Sequence, residues 1–95
     1  MINLSSNIQE FILNLARANS VRSVVLFGSR ARGTNRPQSD IDIAISGGNF
    51  NGFIDGLEDA PTLLEFDVVN LDERTSGELK NEIKKDGVIL YEEIR

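Results

Sequence analysis

Residues 24–45 read VVLFGSRARGTNRPQSDIDIAI, and this stretch decides the fold of the 95-residue chain. A first apolar run stops at Gly28 and Ser29. After ten further residues, Asp40 and Asp42 stand one residue apart at the start of a second apolar run. Either motif alone is common, the first in turns and the second on solvated strand edges. Together they indicate that two strands frame a chemical site.

The predicted elements alternate between helices and strands. Apolar periodicity predicts helices at 6–19, 49–59 and 78–85, and strands at 23–27, 41–45, 63–71 and 88–92. Capping boxes are expected at the start of two helices, from Ser6 with Gln9 and from Thr75 with Glu78. We therefore expect one α/β domain over residues 1–95, a small mixed sheet of about four strands with helices packed on it.

Composition excludes several classes of function. The formal net charge is −5 and the sequence pI is near 4.6, so no nucleic-acid partner is expected. The chain has no Cys and no His, which argues against zinc and against catalysis by histidine. Its start lacks the pattern of a secretory signal, and no apolar run reaches the ~20 residues that span a bilayer. We expect a cytoplasmic protein without a membrane partner.

A third carboxylate is expected near the first two. Alternation along the predicted strand 63–71 places Asp67 on the face opposite its apolar residues, as it does for Asp40 and Asp42 on theirs. Three carboxylates on one surface would repel each other by about 3 kcal/mol for each close pair. A hard divalent cation relieves this repulsion, and Mg²⁺ fits because it binds through carboxylates and phosphate oxygens.

The Gly-Ser turn supplies a candidate phosphate site. Gly28 allows close approach of the backbone to a ligand, and Ser29 offers a hydroxyl and an N–H. Arg30 and Arg32 follow in a possible helical turn and are candidate phosphate ligands. Phosphates on the turn and two Mg²⁺ ions on the aspartates predict transfer of a nucleotidyl group from a nucleoside triphosphate.

These residues resemble a known family. Gly28-Ser29, ten residues and then Asp40-x-Asp42 match the signature of the DNA polymerase β-like nucleotidyltransferase superfamily. The surrounding FGSRARGTNRPQSDIDIAI is similar to the minimal nucleotidyltransferases (MNT) of bacteria and archaea. The resemblance implies that Gly28 and Ser29 bind the triphosphate, that Asp40 and Asp42 bind metal, and that Asp67 completes the metal site.

The resemblance also implies a partner. MNT proteins are typically paired with a helical HEPN protein as antitoxin and toxin, and some transfer AMP from ATP to a tyrosine of the toxin. Two alternatives stay open at this point. One is an antitoxin that neutralises its partner by contact alone, and the other is nucleotidyl transfer to a small molecule.

Overall fold

The computed structural model describes residues 2–93. The elements, in chain order, are α1 (Ser6–Ala18), β1 (Ser23–Phe27), α2 (Gly28–Arg32), β2 (Ile41–Ser46), α3 (Phe50–Leu57), β3 (Phe66–Asn70), α4 (Gly77–Asp86) and β4 (Val88–Glu92). The four strands form one mixed sheet in the order β3-β2-β1-β4. β1 pairs antiparallel with β2 and β4, whereas β2 and β3 are parallel. The predicted α/β class is confirmed.

The sheet is covered on both faces. On one face, α1 and α3 pack on strand residues that are completely buried, among them Leu26, Ile43 and Ile45. On the other face, α4 packs Ile83 against Phe27 and Ala44. The alternation along β2 places Ala44 on the same face as Asp40 and Asp42, and there Ala44 is 0% exposed beneath α4. The acids therefore occupy only one end of that face.

The helix α3 forms despite two internal glycines. Asn49 caps its first turn, and its side chain accepts a hydrogen bond from the Gly52 N–H at 3.1 Å. A Cβ atom at Gly56 would clash with the Leu15 side chain of α1. The cost of glycine in a helix is thus offset by a close approach between α1 and α3.

Both predicted helix caps are displaced by one residue. The N-cap of α1 is Ser5, not Ser6, and its hydroxyl accepts from the Ile8 N–H. The N-cap of α4 is Ser76, not Thr75. A capping hydroxyl needs only a backbone N–H two or three residues on, so an adjacent serine can take the position without the Glu or Gln of a capping box.

The strand β3 is shorter than predicted. It begins at Phe66 because its only partner strand in residues 2–93, β2, begins at Ile41, which is in register with Phe66. The preceding segment turns instead, and Leu63 is fully exposed. None of the helices in the described part of the chain is long and apolar enough to cross a membrane.

Candidate active site

The Gly-Ser turn joins a central strand directly to a short helix. β1 ends at Phe27, and α2 begins at Gly28. Gly28 has a φ of +74°, a conformation that side chains rarely adopt, and a Cβ atom there would clash with the carboxylate of Asp42. Only glycine allows this turn to lie directly against the aspartate. The half-buried Ser29 follows in the first turn of α2.

Strand pairing brings two of the three predicted aspartates together. Asp42 of β2 is in register with Phe27 on one side and with Asp67 of β3 on the other. Neighbouring strands lie about 4.8 Å apart, and in a parallel pair the residues in register point to the same face. Asp40 lies two residues before Asp42, just outside β2, and is exposed. The register thus places two carboxylates beside the end of β1, where the turn begins.

The burial and the negative charge of the site change the pKa of Asp42. Its pKa is raised from 3.8 to about 6, first by burial and then by the negative charges of Asp67, Asp40 and Glu82. Arg32 acts in the opposite sense and lowers the pKa. Burial disfavours the charged form of a carboxyl group, and neighbouring carboxylates add to the effect. Among the charges that shift this pKa, three carboxylates act against the single guanidinium of Arg32.

The donor set fits a hard cation. Its members are all carboxylate oxygens, the ligands that Mg²⁺ prefers, and one of them is held against the Gly28 turn. In residues 2–93, no three carboxylates are close enough together to form a ready-made metal site. The side chains of Asp40 and Asp67 are exposed, and the fold fixes the backbone positions from which they extend.

Arg30 does not have the placement that we expected. Its side chain is buried, with 5% exposed, and its guanidinium donates to three backbone carbonyls. The distances are 2.9 Å and 3.1 Å to Ser39 O, 3.0 Å to Pro37 O and 3.1 Å to Asn3 O. Because these acceptors use four of its five N–H donors, Arg30 is not available to a phosphate. It holds the residue before Asp40 at a fixed distance from the Gly-Ser turn.

Arg32 remains at the surface beside the aspartates. Its Nη1 lies 3.1 Å from Asp86 Oδ2, in an ion pair that joins α2 to α4. Glu82, whose charge raises the pKa of Asp42, also belongs to α4. The sequence reasoning missed both α4 carboxylates. Glu82 and Asp86 each follow a packed residue, Leu79 and Ile83, by three positions. Residues three apart lie on the same side of a helix, so this spacing could have predicted where the two carboxylates lie.

Comparisons with known proteins bear on the family and on the fold. The family model for polymerase β nucleotidyltransferases matches residues 9–95. A crystal structure of a toxin-antitoxin with AMP-PNP superposes with a TM-score of 0.72 at 25% identity, over 90% of this chain and 73% of that one. No curated protein matches the chain.

Two further solved structures share the fold. The toxin-antitoxin MntA-HepT superposes with a TM-score of 0.67 at 20% identity, over 94% of this chain and 74% of that one. A putative nucleotidyltransferase from Sulfolobus solfataricus gives 0.53 at 24% identity, over 88% and 76%. The Gly28 turn packs against Asp42, and the family model matches residues 9–95, so this chain belongs to the polymerase β nucleotidyltransferase family.

Proposed function

We propose that this chain transfers AMP from ATP onto a hydroxyl group, most simply a tyrosine, of a helical HEPN partner, and so acts as its antitoxin. The observation that carries the proposal is the register of Phe27, Asp42 and Asp67. It places the candidate phosphate turn and two carboxylates at the same end of the sheet. The likeness to a toxin-antitoxin structure with AMP-PNP supports both the nucleotide and the kind of partner.

In the proposed reaction, one group of residues binds the triphosphate and another holds the metal ions. Gly28 and Ser29 would bind the triphosphate through backbone N–H groups and the serine hydroxyl, and Arg32 would leave Asp86 to meet a phosphate oxygen. Asp40, Asp42 and Asp67 would hold two Mg²⁺ ions. Such ions supply charge neutralisation for the attacking oxygen and for the leaving pyrophosphate.

The reaction is a displacement at the α-phosphorus of ATP. The acceptor oxygen forms a bond to this phosphorus, the bond to the oxygen that bridges the α- and β-phosphates breaks, and pyrophosphate leaves. The hydroxyl proton would pass to a carboxylate oxygen of Asp67. That side chain is exposed on β3, an edge strand of the sheet, where an incoming hydroxyl can reach it.

The shape of the site favours a macromolecular acceptor. Small ligands are usually enclosed by a concave pocket. Asp40 and Asp67 are exposed, and Asp42 between them is only half-buried. A site on an open face suits a hydroxyl that another protein presents. The net charge of −5 disfavours a nucleic acid in that role.

The test combines the purified chain with the product of the adjacent gene, ATP and MgCl₂, followed by intact-mass spectrometry of the partner. We expect added AMP groups with the wild type and none with Asp42→Asn. Glu10→Gln, which changes an exposed carboxylate on α1, serves as the matched control and should leave the transfer unchanged.

Two outcomes would contradict the proposal. An unchanged partner mass together with blocked toxicity would favour an antitoxin that acts by contact alone. AMP found only on a small molecule added to the reaction would favour the second alternative, a small-molecule nucleotidyltransferase.

A further inference from the structure

A groove of about 510 Å³ runs between α3 and β3, on the face of the sheet opposite the aspartates. Its lining consists of five apolar side chains and the two glutamates Glu58 and Glu65. Of the apolar side chains, Leu57 is buried, and the other four, Phe50, Ile54, Phe66 and Val68, are half-buried. The glutamates are exposed. We call this surface the β3 groove.

The β3 groove lies along an open border of the sheet. β3 is one of the two edge strands of the sheet, and within residues 2–93 no other strand pairs with its outer edge. Leu63, on the segment that leads into β3, is fully exposed. An apolar groove next to an unpaired strand edge is a typical site for another protein chain, because both the side chains and the backbone groups are unsatisfied there.

The charge beside the β3 groove defines what it can accept. The end of α3 carries Asp55, Glu58 and Asp59 and has no basic residue in its last turn. Acidic residues at a helix C-terminus oppose the helix dipole, so helix stability does not account for them. A positively charged partner would be attracted to this end of the groove. A second copy of this chain would bring the same acidic residues face to face.

The β3 groove is close to the proposed site without being part of it. Phe66 and Val68 face the groove, whereas Asp67 between them faces the other side of the sheet. A partner that binds along β3 is therefore held at the strand that carries Asp67. Only the thickness of the sheet separates the β3 groove from Asp67.

We propose that the β3 groove binds an amphipathic segment of the partner protein, whose apolar side chains enter the groove and whose Lys and Arg residues meet the acidic end of α3, and that this contact presents the acceptor hydroxyl at the edge of β3. The inference rests on the proposed function for the existence of a protein partner. It adds the surface and the chemistry by which that partner is recognised.

The test measures the affinity of the partner, the product of the adjacent gene, by calorimetry in EDTA without ATP. Ile54→Asp places a charge in the apolar lining and should weaken binding by more than about tenfold. Glu58→Lys should weaken it about three- to tenfold, with a smaller dependence on salt. Glu10→Lys is the matched charge reversal on α1 and should leave the affinity within about twofold.

The second variant, Glu58→Lys, separates a loss of binding from a loss of folding. Glu58 is the C-cap of α3, where a lysine suits the helix dipole, so Glu58→Lys should fold even if Ile54→Asp does not. Weaker binding by Glu58→Lys with an unchanged melting temperature supports the β3 groove.

The outcomes separate this inference from the proposed function. If the partner receives AMP and both groove variants bind it as the wild type does, the β3 groove is wrong and the proposed function stands. If the wild type does not bind the partner at all, both are wrong. If sedimentation shows a dimer of this chain that Ile54→Asp dissociates, while partner affinity is unchanged, the groove belongs to a second copy and the inference is wrong.

Discussion

The carboxylate of Asp42 lies half-buried between the Gly28 turn and the neighbouring Asp67. Burial and the surrounding acids raise its pKa from 3.8 to about 6. In the folded protein, this group therefore holds a proton between about pH 4 and pH 6 that the unfolded chain has already released. The unfolded state binds fewer protons in that range, so the free energy of unfolding falls as the pH rises through it.

Asp42→Asn should remove this pH dependence. Relative to the wild type in EDTA, we expect the variant to gain stability as the pH rises from 4 to 6 and to keep that gain above pH 6. Water still reaches the side chain, which reduces the gain to about 1 kcal/mol. Urea unfolding at pH 4.5 and pH 7.5 measures the effect. An equal difference between the two proteins at both pH values would contradict the raised pKa.

Arg30 is a second residue whose environment sets its role. Its buried guanidinium is held by the carbonyls of Asn3, Pro37 and Ser39, which belong to the chain before α1 and to the loop between α2 and β2. The N–H of Asn3 in turn donates to the carbonyl of Arg30 at 2.8 Å. These bonds join the N-terminal segment and the loop before Asp40 to α2.

Arg30→Lys should destabilise the protein by about 2–4 kcal/mol, because a lysine cannot reach three carbonyls in the plane of a guanidinium. Arg36→Lys is the control, since Arg36 is exposed in the same loop, and should change stability by less than about 0.5 kcal/mol. Urea unfolding compares the two variants. If Arg30→Lys has wild-type stability but binds ATP more weakly, Arg30 is a phosphate ligand, as the sequence predicts.

Among the four helices, α4 has the fewest buried residues, and two of its carboxylates lie near the site. Ile83 is its one buried residue in the described chain, with Leu79 half-buried beside it. Lys84 and Lys85 in its last turn match the helix dipole. The chain leaves the helix at Gly87 in an extended conformation, not in the left-handed one common at helix ends.

The cap of α4 provides a test at this scale. Ser76→Ala should destabilise the protein by about 1 kcal/mol, because it leaves the Leu79 N–H without its acceptor. Thr75→Ala should cost less, since the Thr75 hydroxyl bonds only to an exposed carbonyl, that of Glu73. Thermal unfolding of the two variants compares the positions. If Thr75→Ala loses more stability than Ser76→Ala does, the predicted capping box of Thr75 and Glu78 is correct.

The whole molecule combines a negative net charge with a local excess of carboxylates at one end of the sheet. Asp42 and Asp67 belong to strands whose cohesion comes from the parallel β2–β3 ladder and the packing of α3. Their mutual repulsion opposes that pairing. A cation held between the two strands would strengthen the fold as well as serve the reaction.

We therefore expect Mg²⁺ to raise the melting temperature of the wild type, and Asp67→Asn to lose most of this increase. Asp55→Asn changes an exposed carboxylate on α3 and should respond to Mg²⁺ as the wild type does. Differential scanning calorimetry with MgCl₂ and with EDTA measures the shift. Equal increases in all three proteins would argue against the metal assignment of Asp67.

Local patterns in the sequence were sufficient for the elements and for the faces of the strands. β1 and β4 have the predicted bounds, and the apolar residues of β2 and β3 pack on the expected side. The reason is physical: helix and strand periods, turn residues and the spacing of Gly28, Ser29, Asp40 and Asp42 are all properties of a few adjacent residues. The helix caps were one residue off because two neighbouring hydroxyl residues can each cap a helix.

Only the tertiary structure decided which side chains meet. The parallel register of Asp42 with Asp67, the burial of Arg30 among three carbonyls and the approach of Glu82 to Asp42 all join residues far apart in the chain. The β3 groove likewise depends on the position of β3 at an edge of the sheet, beside α3. Such contacts depend on the order and register of the strands, which are set by packing summed over the whole core, so no short stretch of sequence contains them.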